Sequence, residues 1–338
     1  MARTWGLRPS LALLLMLFVP LQASEGWGEF AAILDNDFFG NADDGYTNGV
    51  ILSLSSRRLA SFADGPLGAQ VGRWLDRVPL VDRADGERVL TLSLNQRIYT
   101  PSDIANPDPP GEDDQPWAAL LYGGLSATRM DRRRFDAWSL YAGIMGPAAL
   151  GREVQTRVHA IIGSERPQGW QHQVGHGALV NLAYERRQRW GMWTREGWGI
   201  DLLAGYKGAI GTLTTNASVR SVLRFGWQVP EDFTIPPSFM GEPRLGAQGR
   251  AQAAPWSVYG LLAVDATLVI YAAQWDGRLG ETLRLERRAS HFRLHAGLTA
   301  ERPGWGGSFI ITLPSIPWED VHDRRWDGYA SIQVFRRW

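Results

Sequence analysis

Two short stretches far apart in the chain carry residues suited to hydrolytic chemistry. Asn36-Asp37 is followed by Asp44-Gly45-Tyr46-Thr47-Asn48-Gly49. Gly146-Pro147 is followed by Glu153-Val154-Gln155, then His159 and Glu165. A histidine side chain changes charge near neutrality and can take a proton from water. Asp37 and Glu165 are hard oxygen donors, suited to Ca²⁺, and a bound Ca²⁺ can polarise an ester carbonyl and stabilise the oxyanion. Asn36 could hold the imidazole or a ligand in place. On residue types alone, a loop histidine with two acids is more often solvated surface, so position must decide.

Position comes from the strands. Residues 290–301 alternate Phe292, Leu294, Ala296, Leu298 and Ala300 against His291, Arg293, His295, Thr299 and Glu301. Segments 89–98, 212–227 and 256–271 repeat the theme. This period of two predicts long strands. Their polar faces are rich in Arg, His and Asn, which fits a closed barrel with an apolar outside and a polar inside. Closure also leaves no unpaired backbone in lipid. The expectation is an all-β protein: a twelve-stranded antiparallel transmembrane β-barrel with a short helix in an outer loop. The strands are expected at 27–37, 45–56, 88–99, 117–129, 133–146, 172–187, 196–208, 211–228, 255–272, 289–302, 305–315 and 325–338. Trp338, with Val334 and Ile332 on its face, resembles the terminal strand of outer-membrane proteins; Arg336 departs from that apolar pattern.

Composition agrees. Glycine (38) and tryptophan (16) are both abundant; glycine suits tight turns, and tryptophan anchors at the water–lipid interface. No segment after the leader holds 18 consecutive apolar residues. Arg3, Arg8, the apolar run Leu11 to Leu21 and Ala23-Ser24 read as a secretory signal peptide over residues 1–23. The alternative is a membrane anchor, for which the run is short. Residues 24–338 then form a single barrel hydrolase domain. Loss of Arg3 and Arg8 leaves 33 basic against 35 acidic residues, so no basic field points to nucleic acid. There is no cysteine, so an exported chain of this size must be stabilised by its fold.

An even strand number with both termini in the periplasm places the 38–44, 100–116 and 147–171 connections outside. The 57–87 and 229–254 connections fall on the periplasmic side. Leu67, Val71, Trp74 and Leu75 suggest a small amphipathic helix within 66–80, against the alternative of a flexible loop. In the 147–171 connection a helix is expected over 153–162. It puts Gln155 and His159 on one face, which at the barrel mouth would look into the lumen. Thr47 lies opposite Val50, Leu52 and Leu54 and is expected to point inward. Asn36, Asp37, Thr47, His159 and Glu165 are thus expected at one rim.

Asn36-Asp37, Tyr46-Thr47-Asn48-Gly49, Tyr99-Thr100-Pro101, Gly146-Pro147 and Glu153-Val154-Gln155 through His159 to Glu165 and Trp170 carry a family resemblance. On these motifs the chain resembles the outer-membrane lipid A 3′-O-deacylase (LpxR-type) family over essentially its whole mature length. The resemblance implies a twelve-stranded barrel in the bacterial outer membrane. It implies a Ca²⁺-dependent hydrolase that removes the 3′-acyloxyacyl chain from the lipid A of lipopolysaccharide. It makes His159 the catalytic histidine, with Asn36, Asp37, Thr47 and Glu165 around it. Asp37 and Glu165 are assigned to the metal, and Asn36 and Thr47 to the catalytic group. Expected partners are lipopolysaccharide and outer-membrane lipids, with the chain a monomer. The family pattern has a lysine shortly after the Tyr-Ser/Thr-Pro turn, where this chain has Asn106. Arg97, on the inward face of strand three, is the candidate substitute.

The remaining histidines and arginines have bland readings. His291 and His295 belong to the lumen face of strand ten. His172 and His176 are placed on one face of strand six, close enough to approach the site. Arg132-Arg133 and Arg187-Gln188-Arg189 flank periplasmic turns as solvated charge. Two other functions compete. A non-enzymatic barrel, a channel or structural protein, would have no reason to gather these residues at one rim. A phospholipase-type barrel would need a serine paired with a histidine, for which Ser102 and Ser164 lack a convincing setting.

Overall fold

In the computed structural model the described residues are 25–36, 45–83, 85–111, 114–235, 243–245, 255–278, 288–314 and 328–338. The expected leader, residues 1–23, lies outside them. The strands are β1 (Trp27–Asn36), β2 (Gly45–Ser56), β3 (Glu87–Thr100), β4 (Ala118–Met130), β5 (Arg134–Met145), β6 (Gly177–Arg195), β7 (Trp198–Gly211), β8 (Thr214–Trp227), β9 (Ser257–Ala272), β10 (Ser290–Arg302), β11 (Trp305–Pro314) and β12 (Tyr329–Arg337). Each pairs antiparallel with its sequence neighbours, and β1 pairs with β12 to close the barrel. Among the described residues three helices interrupt the connections: α1 (Ala69–Leu75), α2 (Gly151–Ile162) and α3 (Ala273–Asp276).

Alternation sorts side chains to the two faces of the wall. Val180, Ile210, Val219, Ile270, Phe292 and Leu298 stand exposed on the outside, forming the apolar band that a bilayer covers. No helix among the described residues is long and apolar enough to cross a membrane; the strands do the crossing.

The lumen is filled. Near the end opposite the chain termini, Tyr99, Tyr122, Tyr141, Met145, Leu179 and Leu213 pack into one cluster. Midway lies an ionic layer. Asp265 takes Arg293 at 2.8 Å and Arg220 at 3.2 Å, and His295 bonds both Asp265 and Thr312. At the terminal end the β8–β9 connection folds back inside. Arg187 donates to the carbonyls of Phe233 and Leu245, Arg189 to that of Asp232, and Arg224 joins Asp201 and Asp232 at 2.6 Å each.

Two expectations change here. Strand β6 starts at Gly177 and runs to Arg195, because the tight turn is Glu196-Gly197, whose φ values of 50° and 87° suit a two-residue hairpin. Arg187 and Arg189 are therefore buried lumen clamps rather than solvated turn charges, whereas Arg132 and Arg133 are exposed. His172 and His176 precede β6 instead of lying on it. Both are exposed, and the His172 ring lies 3.1 Å from the Pro107 carbonyl.

The 57–86 connection also departs from a simple periplasmic turn. It carries a 3-10 turn at Phe62–Asp64 and helix α1, and it packs Phe62, Leu75 and Val81 against Leu90, Ala127 and Trp138. Leu90 and Ala127 are cross-strand partners on the outer face of the wall. The expected amphipathic helix is present, shorter than the 66–80 window.

Candidate active site

Helix α2 begins where the chain leaves β5. Gly146, with φ of 89°, turns the backbone, and its N–H bonds the Ala119 carbonyl at 2.9 Å. Pro147 opens a 3-10 turn, and Leu150 in the left-handed region passes into the helix. Gly163, also left-handed with φ of 73°, ends it, its N–H returning to the His159 carbonyl. Gly151, Gln155 and His159 are buried at four-residue intervals, so one stripe of α2 faces protein.

That stripe lies on the outer face of the wall. Ile98 of β3 and Ala119 of β4 are cross-strand partners, and they pack with Trp117, Ala149 and Trp170, with Val154 of α2 against them. A Cβ on Gly151 would come within 2.5 Å of the Ala119 Cβ. Gln96, on the same outer face, donates to the Ala149 carbonyl at 2.8 Å. The sequence reading turned this helix toward the lumen; the wall instead separates it from the lumen. The reason is the small pair Ala119 and Gly151, which lets α2 lie close on the outside.

The β1 end shares this face. Register pairs Asn36 with Asn48, Asn48 with Ile98, and Ile98 with Ala119. One row across four strands thus runs from Asn36 to the seat of α2. Between Tyr46 and Asn48 the β2–β3 register shifts, leaving Thr47 as the extra residue of a bulge. A bulge re-aims side chains and cancels parity counting. The Thr47 side chain and the whole of Asp37 lie outside the described residues.

His159 and Glu165 do meet, through backbone. The His159 Nδ1 lies 2.5 Å from the Glu165 carbonyl oxygen. With Nδ1–H donating to that carbonyl, Nε2 is the nitrogen left to accept a proton. The Glu165 side chain is exposed. Gln155, one turn before His159, is 3% exposed; its Oε1 accepts from Trp170 Nε1 at 2.8 Å. Its Nε2 is buried with no partner among the described residues. Sequence reasoning placed Gln155 on the histidine's face without giving it a role; the Glu-Val-Gln motif with its i, i+4 histidine was the available signal.

Asn106 is exposed, and its Oδ1 accepts from the Asp108 N–H at 3.0 Å, a local turn contact. Arg97 cannot replace the family lysine at this site. It is 2% exposed on the lumen face, 3.6 Å from Asp35, and so on the other side of the wall from α2. The loop carrying Asn106 is tied to the site by the Gln168 N–H on the Ile104 carbonyl and by Gln171 on the Pro107 carbonyl. Ser102 donates to Asp114 in an exposed loop and is paired with no histidine among the described residues. Among the described residues no three His, Asp or Glu side chains cluster to hold a metal. The oxygen donors of Asn36, Asp37, Thr47 and Glu165 are chemically of the type a hard cation takes.

A filled lumen, an apolar outer band and a helix-borne histidine seated against the outer wall define an outer-membrane barrel with a candidate site on the lipid-facing side of its wall. The sequence profile of the family described as outer membrane protein LpxR matches residues 10–338, and the chain belongs to that family. It is an outer-membrane protein. Among solved structures it is similar to LpxR from Salmonella typhimurium, with 16% identity and a TM-score of 0.72 over 92% of this chain and all of that one. The β domain of the Bordetella autotransporter BrkA matches at 11% identity and a TM-score of 0.40 over 93% of this chain and 98% of that one. No curated protein sequence matches.

Proposed function

We propose that this protein is a lipid A deacylase that hydrolyses the 3′-linked acyloxyacyl ester of lipopolysaccharide, with His159 as general base. The observation that carries the reading is the buried His159, its Nδ1 held by the Glu165 carbonyl and its Nε2 left as base, on a helix packed against the outer wall. A lipid ester reaches such a site from the membrane; a pore ligand would not. In the reaction His159 Nε2 takes a proton from water, and the water oxygen attacks the acyl carbon. The ester bond then breaks, and the sugar oxygen leaves with the proton returned by His159. The buried Gln155 Nε2 is available to donate a hydrogen bond to the substrate, and its Trp170 contact fixes the amide orientation.

Hard oxygen donors suit Ca²⁺ as the cofactor of this reading, with Asp37 and Glu165 as the residues that would hold it. Bound there, it would supply polarisation of the ester carbonyl. Asn36 and Thr47 complete the site as orienting groups. The exposed position of the Glu165 carboxylate leaves it accessible to a ligand. Asn106, a neutral donor at the family's lysine position, would hold an oxyanion less strongly than an ammonium group. The protein acts as a monomer in this reading. The test is expression in a bacterium with defined lipid A, followed by mass spectrometry. Loss of one 3′-acyloxyacyl mass, absent with His159→Ala, supports the assignment; unchanged lipid A from a folded barrel sinks it.

A further inference from the structure

The 57–86 connection lies on the lipid-facing wall at the end that holds the chain termini, which in bacterial barrels is the periplasmic end. It covers Leu90 on β3, while Leu94, four residues up the same face, is 51% exposed to the lipid side. Four residues of strand are about 13 Å, so the connection adjoins the apolar band. It is pinned in place. Trp138 Nε1 donates to the Pro79 carbonyl at 2.9 Å, Arg129 Nε donates to the Asp85 carbonyl at 2.6 Å, and Leu59 and Arg88 exchange backbone bonds.

Helix α1 buries Gly72 against the Phe62–Asp64 turn and Leu75 in the cluster with Phe62 and Leu90. Gly72 has no room for a side chain, because a Cβ would meet the Phe62 carbonyl oxygen at 2.2 Å. Val71 (43% exposed) and Trp74 (68% exposed) share one flank at i, i+3. Arg73 of the helix and Arg77, two residues beyond its end, are also exposed. Asp76 is engaged by Ser61 and Arg88, Asp85 by Arg129, and Glu87 by Arg58, while Asp64 and Asp82 of the same connection are exposed. Among the described residues Arg73 and Arg77 have no acidic partner. An apolar pair beside two exposed arginines, on a connection that adjoins the lipid-facing band, fits an interfacial helix.

We propose that this connection is a lipid-interface strap. Helix α1 lies in the headgroup layer of the periplasmic leaflet, with Val71 and Trp74 toward the acyl chains and Arg73 and Arg77 on anionic glycerophospholipid phosphates. Tryptophan and arginine favour this layer for separate reasons: an amphipathic ring, and a fork of N–H donors matched to phosphate. The strap also fixes the height of the barrel in the bilayer, and hence the height of the opposite rim.

The chain has no cysteine, so a single introduced one takes a nitroxide label cleanly. Full-length protein carrying Trp74→Cys or Val71→Cys is reconstituted in vesicles of phosphatidylethanolamine and phosphatidylglycerol. Collision rates with oxygen and with a water-soluble nickel complex are then compared with Leu94→Cys and Arg132→Cys. Oxygen-to-nickel ratios several-fold above Arg132→Cys at both positions are expected. Ratios equal to Arg132→Cys would put the strap in water and overturn the proposal. Exclusion of both reagents would reveal a protein covering instead, and would equally overturn it. The Val71→Cys variant keeps Trp74, so a lost indole cannot explain its result. With Arg73→Gln and Arg77→Gln added, the ratio at Val71→Cys should fall, and phosphatidylcholine in place of phosphatidylglycerol should lower it likewise. No change in either case would refute the phosphate contacts.

Discussion

Gly151→Ala isolates the seat of α2 from the barrel that supports it. The new Cβ would lie 2.5 Å from the Ala119 Cβ and 2.6 Å from the Trp170 ring. Normal carbon–carbon contact is about 3.5–4.0 Å, so the start of α2 must rise by about 1 Å. Neither neighbour can yield easily: Ala119 is part of the wall, and the Trp170 ring is held by Gln155 and by Trp117 at 5.0 Å. Helix propensity works the other way, favouring alanine by about 1 kcal/mol. Overpacking costs about 1–3 kcal/mol, so the helix should remain formed but displaced. A misplacement of about 1 Å costs on the order of 100-fold in rate. The assay is initial-rate release of fatty acid from lipid A in detergent, with the barrel's fold checked by circular dichroism and by heat-modifiable migration on gels. Wild-type activity in a folded Gly151→Ala barrel would refute a catalytic helix seated on the outer wall.

Other perturbations bear on separate parts of the account. His159→Ala should abolish hydrolysis with the thermal transition unchanged, read by mass spectrometry and calorimetry on the same sample. Chelation should remove activity, and added Ca²⁺ restore it; a chelator-resistant enzyme would remove the metal. Glu165→Gln should leave the Nδ1 contact intact, because that contact is to backbone, yet lower Ca²⁺ affinity as measured by the Ca²⁺ dependence of the rate. Asp76 gives a pH test of the strap. Burial acts to raise its pKa, but bonds from Ser61, Phe62 N and Ala63 N, with the Arg88 charge, outweigh it and hold the carboxyl below the usual range. A depressed carboxyl contributes stability above the ordinary value of about 3.9 and loses it as pH falls through the lowered pKa. Amide exchange in α1 should therefore accelerate as pH drops below about 4 relative to residues in β3, and Asp76→Asn should remove that pH dependence.

The strands were legible because lumen and lipid impose opposite demands on alternate residues. Their predicted bounds hold to within a few residues except at β6. There Arg187 and Arg189 looked like turn residues, but a filled lumen buries arginines when backbone carbonyls receive them, and the chain turns only at Glu196-Gly197. The helix and the buried stripe that joins Gln155 to His159 were legible from spacing. Which side of the wall they occupy was not. That depends on the close approach of Gly151 to Ala119, a tertiary contact that periodicity cannot announce. The same limit misdirected Arg97, whose inward face was read correctly but whose site lay on the other side of the wall.

The most direct test of the central claim is hydrolysis of purified lipid A in ¹⁸O-water, comparing wild type with His159→Ala. Attack of water on the acyl carbon predicts one ¹⁸O in the carboxyl group of the released 3′-acyloxyacyl acid, none in the sugar product, and no release by the variant. Label in the sugar hydroxyl, unlabelled acid, or equal release by a folded His159→Ala barrel would contradict it.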